Sequence, residues 1–66
     1  MNIIVNGETI SIAPNTSLSK VIDTLNIKNQ RFAVEVNGEI VTRSEHNHYQ
    51  MKENDKVEIV VAVGGG

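Results

Sequence analysis

Hydrophobic and polar residues alternate near both ends of the chain and fall at helical spacing between them. Ile3, Ile4 and Val5 precede Asn6-Gly7-Glu8, and Thr9-Ile10-Ser11-Ile12 follows. Both runs are rich in β-branched residues, which suit a pleated surface. Asn-Gly between such runs is a strong signal for a tight hairpin. Alternation turns Ile10 and Ile12 inward; on the first strand Ile3 and Val5 share one face and Ile4 takes the other. Pro14 ends the second strand because it has no amide to donate. Asn15, Thr16 and Ser17 can each cap a helix, and Leu18, Val21, Ile22 and Leu25 form one apolar stripe. This predicts a helix from about Ser17 to Leu25, ending near Asn26, a residue that tolerates left-handed geometry. So short a helix must be held by packing on a sheet.

A third strand is read over Phe32-Ala33-Val34-Glu35-Val36, with Phe32, Val34 and Val36 inward and Glu35 on the wet face. Asn37-Gly38 is a second hairpin signal, leading into a short strand over Glu39-Ile40-Val41. From Thr42 to Glu53 the pattern is weak, with Tyr49 and Met51 as anchors and one helical turn near Ser44-Glu45-His46. Asn54-Asp55 starts the last strand, Lys56 to Val63, and Gly64-Gly65-Gly66 follows. One helix covering one face of a mixed sheet is an α+β roll. The expected organisation is one domain over 1–63 and a flexible glycine tail over 64–66.

Composition narrows the function. The 66 residues are 39% hydrophobic and 21% charged, enough for a packed core. The absence of cysteine excludes a disulfide scaffold, a zinc finger, an iron–sulfur site and a thiol nucleophile. A formal charge of −2 with one Phe, one Tyr and no Trp argues against nucleic acid as a partner. No apolar run approaches the ~20 residues of a membrane span. Met1 to Val5 lacks a basic leader, so a cytoplasmic location is expected. A domain this small leaves little room for a deep cleft with several positioned catalytic groups.

Two features carry chemistry. The last strand is apolar on both faces: Val57, Ile59, Val61 and Val63 on one, Val60 and Ala62 on the other. A single helix cannot cover both faces, so Val60 and Ala62 should be exposed, joined by Ile4 if the first strand lies alongside. Such a patch is a candidate docking surface; the alternative is that segment 42–53 folds over it. The second feature is Gly64, Gly65 and Gly66, which have no side chain to pack. Three extended residues reach about 10 Å beyond the strand, enough to thread the Gly66 carboxylate into a narrow active site of another protein. A frayed end or linker remnant is the bland reading.

Taken together, Asn6-Gly7-Glu8, the helix around Thr16, Leu18 and Leu25, Val36-Asn37-Gly38-Glu39-Ile40-Val41, and Asp55-Lys56-Val57-Glu58-Ile59-Val60 before Gly64-Gly65-Gly66 resemble the ThiS family of thiamine-biosynthesis sulfur carriers over the whole chain. The resemblance implies a ubiquitin-like β-grasp roll. It also implies that the chain is a protein cosubstrate and not an enzyme. A ubiquitin-activating-like adenylyltransferase of the ThiF type would use ATP and Mg²⁺ to adenylate Gly66, and this chain would bind no cofactor itself. Sulfur from a cysteine desulfurase or a sulfur relay would convert the adenylate to a thiocarboxylate. A thiazole synthase of the ThiG type would consume it. Two departures from the family pattern are Asn54 before Asp55, where many relatives have glycine, and Tyr49, where the anchor is often aliphatic. Asn accepts positive φ, so the turn should survive. The alternatives are the small subunit of molybdopterin synthase, which shares fold and tail but is longer, and a ubiquitin-like modifier or interaction module.

Other constellations are weaker. Glu45, His46 and His48 supply few ligands on a soft loop, so the histidines read as surface residues. Glu53 and Asp55 match a glycosidase dyad in residue type alone and read as turn and solubility residues. Arg43, Lys52 and Lys56 are too few for a phosphate or nucleic-acid stripe.

Overall fold

The computed structural model describes residues 1–27 and 29–62. Strands β1 (Asn2–Val5) and β2 (Glu8–Ser11) form the first hairpin, with Ile3 opposite Ile10. Asn6 and Gly7 both take left-handed backbone, φ 48° and 83°, as a two-residue turn matched to strand twist requires. Helix α1 (Leu18–Asp23) follows, capped by Ser17, whose Oγ accepts the Lys20 amide at 3.3 Å. The helix is shorter than its apolar stripe suggests. Leu25 lies in the turn beyond it, its amide on the Ile22 carbonyl, and Asn26 closes that turn at φ 61°. Leu25 still packs against the core from there.

Strands β3 (Phe32–Val36) and β4 (Glu39–Ile40) form the second hairpin through Asn37 and Gly38, at φ 53° and 86°. Asn54 turns the chain into the last strand at φ 67°, so the departure from glycine costs the turn nothing in shape. Strand β5 (Lys56–Val61) lies mid-sheet, in the order β2-β1-β5-β3-β4, parallel to β1 and antiparallel to β3. This is a mixed sheet with one helix on one face, a β-grasp roll. The reading of a strand continuing to Val63, like the tail 64–66, lies outside the described residues.

The inner sheet face and the helix share one core: Ile3, Val5, Val34, Val36, Val57 and Ile59 from strands, Leu18, Val21 and Ile22 from α1, and Met51. Each fully buried aliphatic side chain contributes roughly 1.5–3 kcal/mol, which offsets the weak intrinsic stability of a six-residue helix. Phe32 is only half-buried, at the edge of this core.

Segment 42–53 does not cover the outer sheet face. It makes a 3₁₀ turn over Arg43–Glu45 and runs beside the start of α1. There Leu18 donates to the Tyr49 carbonyl (2.8 Å), Ser19 to the His46 carbonyl (3.0 Å), and Met51 to the Thr16 carbonyl (2.9 Å). Two sequence readings are corrected by this packing. His46 is buried, stacked on Phe32 with ring centroids 6.3 Å apart and its Nε2 3.1 Å from the Val41 carbonyl, whereas His48 is exposed. The turn winds the two imidazoles apart, where a strand would have kept them on one face. Asp55 is likewise no solubility residue: it is buried, and its carboxylate accepts from the Lys52 amide (2.8 Å) and from Asn37 Nδ2 (3.0 Å). The Asn37 Oδ1 in turn accepts the Lys56 amide, so one hydrogen-bonded network around the buried Asp55 ties both turns to the start of β5.

Candidate functional site

The site is built around the far end of β5. Val61 lies opposite Phe32, and the Ala62 amide donates to the Arg31 carbonyl at 2.8 Å. The segment leading to Gly64, Gly65 and Gly66 therefore leaves from a central strand held on its β3 side up to Ala62. The three glycines themselves lie outside the described residues.

The β3–β5 register sets which side chains surround that point. Backbone bonds join Asn37 to Lys56 and Ala62 to Arg31, so even-numbered residues of β5 face β3 with their amides and carry their side chains on the outer sheet face. Val60 is 67% exposed there, directly opposite the exposed Ala33, with the exposed Ala62 beyond. Ile40, 65% exposed, stands opposite Glu35, one step diagonally from Ala33. Diagonal neighbours on a sheet face are about 7–8 Å apart. The outer apolar surface is thus Val60, Ala33, Ala62 and Ile40.

Ile4 is not part of it. It lies opposite Lys56 in β1–β5 pairing, half-buried, four residues from Val60 along β5. At about 3.3 Å per residue that is roughly 13 Å, with Glu58 between. The sequence showed that β1 has an outward isoleucine but not the register that separates it from Val60. Ala33 and Ile40 escaped notice for the same reason. Their outward position follows from alternation in β3 and β4, but their proximity to Val60 needs the strand order.

Arg43 and Phe32 frame the corner beside this surface, the guanidinium carbon 5.5 Å from the ring centroid. At the opposite end of β3, Tyr49 has its phenol pKa raised above the ordinary value by burial, then by the carboxylates of Asp55 and Glu39. Neither residue was singled out for this from sequence, since both effects depend on contacts across the chain.

Against known proteins, the model of the ThiS family matches residues 3–66. The chain belongs to the ThiS family. It is similar over its full length to a thiazole synthase of Paramagnetospirillum magneticum, with 32% identity, and spans about one fifth (20%) of that protein's length. An uncharacterized protein, ycf40, of Porphyra purpurea is 30% identical over all 66 residues, which cover 93% of that protein. Two solved structures of a thiamine biosynthesis protein from Geobacter metallireducens are similar in shape. The crystal structure, of a protein described as ThiS, superposes with a TM-score of 0.82 at 29% identity over the whole of both chains. The solution structure gives 0.78 at 30% identity, covering this chain entirely and 88% of the other.

Proposed function

We propose that this ThiS-family chain is a sulfur carrier for thiazole formation in thiamine biosynthesis, working through the carboxylate of Gly66. The observation that carries this reading is the extent of the family match, which runs from residue 3 through the last glycine at 66. The names of the similar proteins, a thiazole synthase and a thiamine biosynthesis protein, favour thiazole over molybdopterin as the destination.

A carboxylate is a poor electrophile because its charge is delocalised and its leaving group is oxide. An adenylyltransferase of the ThiF type, using ATP and Mg²⁺, joins the Gly66 carboxylate to AMP with loss of pyrophosphate. The terminal sulfur of a persulfide formed on a cysteine desulfurase or relay then attacks the acyl carbon and AMP departs. A thiol reduces the S–S bond of the resulting acyl persulfide, becoming part of a disulfide, and releases the thiocarboxylate for a ThiG-type synthase. Transition-state stabilisation for these steps is assigned to the partners, and the chain is a cosubstrate. Its own residues position the reacting end: β5 supplies a fixed base, Gly64 and Gly65 a strip without side chains that passes a narrow channel, and Val60, Ala62, Ala33 and Ile40 an apolar docking surface beside it.

Deleting Gly66, or appending one residue after it, tests the reading. Adenylation should be lost in both variants while the fold is retained; adenylation of the extended chain at the original rate contradicts it.

A further inference from the structure

We propose that the edge of β5 facing β1, beyond the point where β1 ends, is a strand-addition site for an extended segment of the adenylating enzyme that acts on the unmodified carrier. The proposal rests on the sulfur-carrier reading for the identity of that partner, and names where on the chain it is gripped.

Odd-numbered residues of β5 present their backbone groups toward β1. The Asn6 amide donates to the Val57 carbonyl at 2.8 Å, which would ordinarily be followed by the Ile59 amide returning a bond to the Asn6 carbonyl. Instead the chain turns at Asn6, φ 48°, and the Ile59 amide bonds the Asn6 side-chain Oδ1 at 2.8 Å. The β1–β5 pairing stops at Val5 opposite Val57. The next pair of groups in this lane, the Ile59 carbonyl and the Val61 amide, has no partner among the described residues. These two groups are spaced to accept and donate to one residue of a strand running parallel to β5, repeating what Asn6 does with Val57 and Ile59. An antiparallel strand opposite Ile59 would need the amide that Asn6 already holds. The edge is therefore complete for a parallel strand at this position, whereas an antiparallel strand would have to centre on Val61 and its own amide and carbonyl.

Beside the open edge lies a groove of about 660 Å³ with Ile10, Leu25, Ile27, Ile59 and Val61 among its walls and Glu8 as the one charged residue among its described lining. An added strand sends alternate side chains toward the helix side of the sheet. The chemistry that fits is an apolar side chain in the groove with a lysine or arginine reaching Glu8. Continuity favours a partner over a second copy of this chain, because β5 is the strand that leads to the reacting terminus. Gly66 is five residues beyond Val61 in sequence, so a partner that takes up Gly66 is brought within about 17 Å of this edge.

The test is amide hydrogen exchange at Val61 in the unmodified chain, alone and with a ThiF-type adenylating enzyme, paired with a mass assay for activation at Gly66. Exchange at Val61 should slow by at least about tenfold in that complex, the equivalent of one protected hydrogen bond. Glu8→Lys should weaken that same complex by roughly 5- to 10-fold, as loss of a complementary charge does. A complex with unchanged Val61 exchange overturns the edge proposal even when Gly66 is activated. Protection at Val61 without activation upholds the edge and contradicts the carrier reading. Slowing that appears in the chain alone as its concentration rises assigns the edge to a second copy and overturns the proposal, as does failure to form the complex.

Discussion

The side-chain oxygen of Asn6 accepts the backbone amide of Ile59 at 2.8 Å, joining the first turn to the last strand across 53 positions of sequence. Asn6 thus performs two tasks. It takes left-handed backbone, φ 48°, to close the hairpin, and it completes the β5 ladder where β1 runs out. Substitution separates them. Asn6→Gly keeps the turn and deletes the bond, and should cost about 1 kcal/mol. Asn6→Ala deletes the bond and adds strain at positive φ, so it should cost roughly 1 kcal/mol more. Urea midpoints for the three proteins check the order, wild type above Gly above Ala.

Asp55 should matter more to stability than any exposed acid. Its buried carboxylate satisfies the Lys52 amide and Asn37 Nδ2, and Asp55→Ala leaves both donors without it. The expected loss is about 2–3 kcal/mol, on the order of 10 °C or more in melting temperature for a domain of this size. Glu53→Ala, at an exposed position where Oε1 accepts the Asn2 amide at 3.2 Å, should cost under about 1 kcal/mol. Paired thermal melts read the difference.

Much of this was legible in the chain before folding. Asn-Gly at 6–7 and 37–38, the Ser17 cap, and the alternation in Phe32–Val36 each act within a few residues, so local sequence specifies them. The exposure of Val60 was legible too, since one helix cannot cover both faces of an apolar strand. What sequence does not encode locally is register. Ile4 stands beside Lys56 and away from Val60, and Ala33 and Ile40 take its place in the outer surface, because of how far β1 slides along β5. Burial of His46 and Asp55 escaped for the same reason, as each depends on partners brought from elsewhere: the Phe32 ring for one, the Asn37 carboxamide for the other.

The outer surface can be tested without disturbing the core. Val60→Glu changes a side chain that is 67% exposed, so stability should shift by no more than about 0.5 kcal/mol. Affinity for the adenylating partner should fall by about tenfold or more if Val60 sits in the docked surface. Calorimetric titration measures the affinity and urea unfolding the stability. A folded variant with unchanged affinity removes Val60 from the interface.

Tyr49 contributes one component of the alkaline decline in stability. Its folded-state pKa is raised above 10.0 by burial and the carboxylates of Asp55 and Glu39, so the folded chain holds the phenolic proton more tightly than the unfolded chain. Its contribution to stability is fully present below pH 10.0 and is lost as pH rises through the raised value. Tyr49→Phe should lack this component of the alkaline decline. As Tyr49 is the one tyrosine in the chain, phenolate absorbance reports its titration directly.

The central claim concerns Gly66, and the intact mass of the chain tests it most directly. The chain is incubated with ATP, Mg²⁺, a ThiF-type enzyme and a sulfur source, and the product is mapped by fragmentation, since oxidation of Met1 or Met51 adds nearly the same mass as exchange of oxygen for sulfur. The account predicts one oxygen replaced by sulfur, located at Gly66, with both methionines unmodified. An unmodified terminus, in the presence of an enzyme that activates another carrier under the same conditions, contradicts it.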